Sequence, residues 1–147
     1  MGMGAGQTSE ENQMDRSKAE ELVKAVYDAR IKGDVNELMK LTDPDIVLEI
    51  LGSNEHSKVA VAVKGADTVR HTISVLSENF EFSNFEILTM LVEGDNIAFH
   101  WSAHVRNPKT GKAADSQVMD FWTVKDGKVA SIRQAIDTAL AEWLASP

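Results

Sequence analysis

Residues 118–137, VMDFWTVKDGKVASIRQAID, predict two β-strands joined by a tight turn at Lys125-Asp126-Gly127. The first of these strands carries one carboxylate, Asp120, among large apolar neighbours. If this side chain points into the interior, burial disfavours its charged form and raises the pKa of the carboxyl group. Such a group can donate a hydrogen bond, so Asp120 is the first candidate for chemistry in this chain.

The turn decides which face of the hairpin carries Asp120, because side chains alternate along a strand and a one-residue shift of register turns each one over. A two-residue turn pairs Lys125 with Lys128 and sets Asp120 opposite Arg133, as an ion pair. A three-residue turn with a glycine bulge avoids the two facing lysines and sets Asp120 beside Ile132, so it is favoured. It gathers an apolar wall on the face of Asp120: Val118, Trp122, Ile132, Gln134 and Ile136.

Composition limits the classes of partner. The chain has 147 residues, of which 43% are hydrophobic, and we expect a disordered tail (1–15) followed by one domain (16–147). A net charge of −8 without a run of Lys or Arg argues against nucleic acid and membrane as partners. The absence of cysteine excludes disulfides and thiolate chemistry. Without an apolar membrane span or a signal-peptide pattern, the expected location is the cytoplasm.

The order of the predicted elements indicates an α+β fold, because helices come first and an antiparallel meander follows. A capping box at Ser17–Glu20 opens the first helix, and turn signals separate the later strands. The predicted helices are 17–33, 34–41, 65–79 and 138–145. The predicted strands are 45–51, 59–63, 80–92, 96–105, 112–125 and 128–136.

This order resembles the nuclear-transport-factor-two-like superfamily, and the residues involved are similar to its SnoaL-like and ketosteroid isomerase-like branch. The resemblance covers residues 17–137 and implies a cone-shaped, curved antiparallel sheet wrapped around three N-terminal helices, with a short C-terminal helix. The matching segments are Gly33-Asp34, residues 45–50, Lys64-Gly65, residues 120–124 (DFWTV) and Gly127-Lys128-Val129.

The resemblance also suggests roles for single positions. Asp120 matches the place where ketosteroid isomerases hold a protonated Asp that donates a hydrogen bond to an oxyanion. Their tyrosine on the first helix matches Val26, next to Tyr27, and their general base matches Ile50, next to Glu49. On an exact match, the side chains of Tyr27 and Glu49 face away from the site.

Two other kinds of site fit the chain less well. Limonene epoxide hydrolase-like enzymes carry an Arg and an Asp at positions similar to Trp101 and Ala103, so that mechanism lacks its residues here. Their third carboxylate matches Asp137, which also stands where the last helix needs a cap. His100 and His104 lie about 13 Å apart along a strand, too far to share one metal ion, so no metal site is predicted.

The sequence therefore predicts a small-molecule-binding domain that uses no cofactor. As an enzyme, it isomerises, cyclises or dehydrates a mostly apolar carbonyl compound, with Asp120 as acid or hydrogen-bond donor and with Glu49 and Asp137 as further catalytic candidates. The predicted ligand-binding residues are Val26, Tyr27, Ile50, Trp101, Ala103, Val118, Trp122, Ile132, Gln134 and Ile136.

The alternative is a non-catalytic dimeric module that binds a ligand or a protein. Met119 and Phe121 are predicted to lie on the outer face of the sheet, together with His100 and His104. Because that face is too apolar to stay in water, we expect a homodimer through it.

Overall fold

In a computed structural model, which describes residues 14–53 and 55–147, helices pack into the hollow of a curved, unclosed six-stranded sheet. The helices are α1 (Arg16–Lys32), α2 (Val35–Lys40), α3 (Ala66–Asn79) and α4 (Thr138–Ala145). The strands are β1 (Thr42–Ile50), β2 (Val61–Lys64), β3 (Glu81–Glu93), β4 (Asn96–Arg106), β5 (Ala113–Lys125) and β6 (Lys128–Ala135). Their order is β2-β1-β6-β5-β4-β3, and only the pair β1–β6 is parallel within these residues. The predicted α+β cone is confirmed.

The first helix begins earlier than the capping box predicts. Asp15 is the N-cap, and its side chain accepts a hydrogen bond from the backbone N–H of Lys18 at 2.8 Å. Met14 packs against the core. The last two residues of the predicted tail therefore belong to the folded domain, whereas residues 1–13 lie outside the described residues and the tail there stays a prediction.

A two-residue turn joins β5 to β6, so the predicted three-residue turn was wrong. Asp126 and Gly127 have φ angles of 51° and 78°, the type I′ pattern that fits the twist of a hairpin. Lys125 consequently pairs with Lys128. Both residues are exposed, and water screens the repulsion between their charges.

A β-bulge then reverses the face of the sheet on which each later side chain of β6 lies. The pairing shifts by one residue between Thr123 and Val124, which leaves Ala130 as an extra residue in β6. Beyond the bulge Asp120 pairs with Gln134, which is neither of the two partners considered from the sequence. The inward orientation of Asp120 is confirmed, but a two-residue turn followed by a bulge produces it.

The two faces of the sheet differ as the sequence predicts. On β4 and β5 buried residues alternate with more exposed ones, and His100 and His104 lie on the outer face. This face carries an apolar patch, the outer patch, made of Leu91, Met119 and Phe121. Among the described residues, no helix combines the length and the apolar character needed to cross a bilayer.

Candidate functional site

A cavity of about 120 Å³ lies between the helices and the inner face of the sheet. From α1 it receives Val26, Tyr27 and Arg30, which share one face of the helix because they are three and four residues apart. The predicted ligand-binding residues that line it are Val26, Tyr27, Ile50, Val118, Trp122, Ile132, Gln134 and Ile136. Trp101 and Ala103 are buried but do not line it, so their contact with a ligand stays a prediction.

Asp120 is the centre of a buried hydrogen-bond network behind the cavity wall. Its side chain is almost fully buried, and its Oδ1 accepts a hydrogen bond from Nε1 of Trp101 at 3.1 Å. Its Oδ2 accepts bonds from the hydroxyl of Tyr27 at 2.5 Å and from Nε1 of Trp122 at 3.0 Å. Nε2 of Gln134 lies 3.4 Å from Oδ2 and also donates to the Tyr27 oxygen at 2.9 Å. The network links α1 to strands β4, β5 and β6.

Burial sets the acidity of this network. It raises the pKa of Asp120 from 3.8 to about 6, and the hydrogen bonds from Tyr27, Trp101, Trp122 and Gln134 limit the rise because they favour the charged form. The pKa of Tyr27 lies well above its usual value of 10, through burial first and then through the nearby charge of Asp120. A carboxyl group with a pKa of about 6 gains and loses its proton close to neutral pH, which suits acid–base chemistry.

The structure corrects the expected orientation of Tyr27. An exact match to the ketosteroid isomerase-like pattern turns this side chain away from the site, yet its ring lies inside and its hydroxyl binds Asp120. The ring stacks on Phe85 at a centroid distance of 4.7 Å and lies 4.9 Å from the ring of Trp101. Val26 is buried beside it and lines the cavity with it. Tyr27 therefore lines the cavity while its hydroxyl belongs to the network.

The two other catalytic candidates lie elsewhere. Glu49 points to the opposite face of β1, where its Oε1 is 3.4 Å from Nε of Arg133, and it does not line the cavity. Strand alternation sends the neighbouring Ile50 inward instead, and a catalytic role of Glu49 stays a prediction. Asp137 caps α4 by accepting a hydrogen bond from the backbone N–H of Leu140 at 3.0 Å, and it also lines the cavity.

Arg30 is the functional candidate that the sequence reasoning missed. It follows Tyr27 by three residues and Val26 by four on α1, so helical spacing alone indicated that the three share a face. Its Nη2 donates to the backbone oxygens of Leu76 and Phe80, at the C-terminal end of α3. Burial lowers the pKa of Arg30 to about 10, which still leaves it charged at neutral pH.

The two histidines of β4 interact with side chains of β5 on the outer face. Nε2 of His100 is 2.7 Å from Oε1 of Gln117, and Nδ1 of His104 is 2.8 Å from Oδ1 of Asp115. Within residues 14–53 and 55–147, no three histidine or carboxylate side chains converge in a way that holds a metal ion.

A family model described as a SnoaL-like domain matches residues 23–132 of the chain. This span contains Tyr27, Arg30 and Asp120 but ends before Gln134 and Asp137. No curated protein shows a significant match to the chain.

Several solved structures share the fold. A nuclear-transport-factor-two-like protein from Burkholderia xenovorans is 24% identical, with a TM-score of 0.74 over 90% of this chain and 99% of that one. A Bacillus subtilis protein described as a candidate isomerase is 17% identical, with a TM-score of 0.79 over 90% and 98% of the two chains. A candidate SnoaL-like polyketide cyclase from a Jannaschia species is 18% identical, with a TM-score of 0.72 over 91% and 99%. At these identities the likeness shows the fold alone.

Proposed function

This chain belongs to the SnoaL-like domain family, and from that premise we propose that its cavity binds a small, mostly apolar molecule that carries a carbonyl oxygen. The observation that carries the proposal is the pairing of Tyr27 and Gln134 in an otherwise largely apolar cavity wall, with Asp120 buried directly behind them. Apolar walls with a few placed polar groups are typical of small-molecule sites. The polar pair supplies the contact for the oxygen of the ligand.

Tyr27 is the proposed hydrogen-bond donor to that oxygen, and Asp120 is the residue that positions it. While Asp120 is ionised, the Tyr27 hydroxyl donates to its Oδ2. Once Asp120 takes up a proton, its own O–H can donate to the Tyr27 oxygen, and the Tyr27 hydrogen can turn toward the cavity. Asp120 thus acts through Tyr27, because its carboxyl group does not itself line the cavity.

The enzymatic form of the proposal is a proton shift next to the carbonyl group. Asp137 is the sole carboxylate among the residues that line the cavity in the described part of the chain, and only its Oδ1 is used in capping α4. We assign it the removal of a proton from the carbon next to the carbonyl, while Tyr27 stabilises the resulting enolate oxygen. Return of the proton to another carbon completes an isomerisation. The names of the isomerase and cyclase among the similar structures support this class of reaction.

Binding is tested with a panel of enones, lactones and steroids, scored by the rise in melting temperature that a ligand of the folded state causes. We expect at least one hit whose effect falls in Tyr27→Phe and in Gln134→Leu. The control is Arg133→Gln, on the outer face, which leaves the effect unchanged. Binding that persists unchanged in both cavity variants contradicts the assigned contacts.

Catalysis is tested by following deuterium uptake from D₂O into the hit compound by NMR. Uptake that falls in Asp137→Asn and in Tyr27→Phe supports the proton shift. The rival function is a non-catalytic binding module, favoured by the four donors that already surround the Asp120 carboxyl group. Tight binding without any uptake selects that rival.

The outer patch supports a homodimer as part of the same proposal. Leu91, Met119 and Phe121 are 68%, 60% and 45% exposed, which is unusual for neighbouring large apolar side chains on one sheet face. We expect a dimer of the chain in sedimentation experiments, converted to monomer by Leu91→Lys combined with Phe121→Lys. A wild-type monomer at high micromolar concentration contradicts the dimer. The cytoplasmic location stays a prediction from the sequence.

A further inference from the structure

Arg30 brings a positive charge to the cavity without a carboxylate to neutralise it. Among residues 14–53 and 55–147, the ion pairs do not include Arg30. Its Nη2 donates to the carbonyl oxygens of Leu76 at 3.2 Å and Phe80 at 2.8 Å, and its Cζ lies 4.3 Å from the centre of the Phe82 ring. Carbonyls at a helix C-terminus and an aromatic face attract a cation, but neither carries a full negative charge.

Most N–H donors of this guanidinium make no hydrogen bond to the described residues. An arginine side chain has five N–H donors, and in the described part of the chain only Nη2 of Arg30 makes hydrogen bonds. Arg30 is partly buried in the cavity wall, and this burial lowers the pKa of its guanidinium to about 10. A cation that is withdrawn from water without a counter-charge is costly, so an anion that reaches Nε or Nη1 gains more here than at the surface.

The position of Arg30 in the cavity wall indicates what else such an anion must contain besides its charged group. Arg30 follows Tyr27 by three residues, or about 4.5 Å along the axis of α1, and both line the same cavity. The wall around them is largely apolar, with Val26 and Phe82 as neighbours. Among the described residues that line the cavity, Asp137 is the single carboxylate, and it is exposed and caps α4.

We propose that the ligand of this cavity is a carboxylate with an apolar body, whose acid group pairs with the guanidinium of Arg30 while a second oxygen binds Tyr27. This inference rests on the proposed binding function and narrows its ligand class from mostly apolar carbonyl compounds in general to those that also carry an acid group. A carboxylate oxygen can accept a charge-assisted hydrogen bond from Nε or from Nη1, the two nitrogens of Arg30 that make no hydrogen bond to the described residues. The net charge of −8 does not oppose it at contact, because salt screens distant charges beyond about 10 Å.

The test uses two pairs of probes that differ only in charge: cinnamate against cinnamamide, and 2-naphthoate against 2-naphthamide. Dissociation constants are measured by calorimetry or NMR titration at pH 7.5 for wild type, Arg30→Gln and Arg30→Lys. Arg133→Gln is the matched control, since it removes a guanidinium from the outer face. Thermal unfolding shows whether each variant is folded.

We expect wild type to bind at least one acid about 10-fold or more tightly than its amide, as a charge-assisted bond predicts. Arg30→Gln should abolish this preference while the affinity for the amide changes little, and Arg30→Lys should keep part of it. The control should keep all of it. If Arg30→Gln does not fold, the comparison of acid and amide in wild type and in Arg30→Lys still tests the carboxylate proposal.

Two contrary results have different meanings. Equal affinity for acid and amide in wild type, or an acid preference that survives in Arg30→Gln, overturns the carboxylate proposal and leaves the cavity as a binding site for neutral compounds. No binding of any of the four probes, together with no hit in the panel of carbonyl compounds, overturns the proposed binding function and this inference with it.

Discussion

Replacing Asp120 with asparagine tests which force controls the buried network. Burial raises the pKa of Asp120 from 3.8 to about 6, so the folded protein holds this proton at pH values where the unfolded chain has released it. In that window the folded state binds more protons, and its stability falls as pH rises. The change of roughly two pKa units corresponds to about 3 kcal/mol at 1.36 kcal/mol per unit.

Asparagine has no proton to release, so it removes this pH dependence. It also offers one acceptor oxygen and an NH₂ group to four donors, and leaving a buried donor without an acceptor costs about 1–3 kcal/mol. Asp120→Asn should therefore be less stable than wild type at pH 4.5. The difference should shrink by about 2 kcal/mol at pH 7.5, where the wild type carries the cost of the charge.

The assay is urea unfolding at the two pH values, followed by the fluorescence of the tryptophans, since Trp101 and Trp122 both contact Asp120. Other carboxylates cancel in the comparison because both proteins contain them. Asp28→Asn on the surface of α1 is the control and should change stability by no more than about 0.5 kcal/mol at either pH. A difference that stays constant, or grows toward pH 7.5, would refute the reasoning, because hydrogen bonds to the charged form would then outweigh burial.

Four further predictions address the turn, the bulge and the surroundings of the site. Tyr27 is the only tyrosine in the chain, so absorbance at 295 nm should show no ionisation in the folded protein near pH 10; a step there would contradict its raised pKa. Gly127→Ala should cost about 1–2 kcal/mol in urea unfolding, since Gly127 has a φ of 78°, and an unchanged midpoint would argue against the type I′ turn. Deleting Ala130 should abolish the near-ultraviolet circular dichroism of the packed tryptophans, and a native spectrum would show that the bulge is dispensable. Glu49→Gln removes an exposed ion pair with Arg133 and should alter stability by less than about 0.5 kcal/mol without affecting ligand binding; a tenfold loss of affinity would return Glu49 to the site.

Most of the fold could be predicted from the sequence because the signals that end each helix and strand lie within a few residues of that end. Capping residues and turn signals mark the ends of the elements, and Asp34 caps α2 by accepting a hydrogen bond from the backbone N–H of Glu37. The Asp126-Gly127 pair signals a two-residue hairpin, and avoidance of facing lysines was a weaker argument than this turn chemistry. The bulge at Ala130 leaves no comparable mark, because an alanine gives no local reason to leave the pairing.

The site was predicted less completely than the fold. Alternation along β5 and β6 placed Trp122, Ile132 and Gln134 on the face of Asp120, where they lie, because the bulge supplies the register shift that the wrong three-residue turn had assumed. The side chain of Tyr27 could not be aimed in the same way, because a helix residue turns by about 100° per position and a one-residue error in matching points it elsewhere.

The extra residue Ala130 also makes the interior of the hairpin depend on the length of its loop. The bulge shifts the pairing register of β6 by one residue between the loop and the carboxyl network. Asp126-Gly127 can therefore be exchanged for another two-residue loop, such as Asn-Gly, without changing which side chains face the interior. Grafting a three-residue loop onto β5 and β6 would instead shift the phase once more and eject Gln134 from its place beside Asp120. Loop redesign in this protein is therefore limited more by whether the loop has an even or an odd number of residues than by which residues they are.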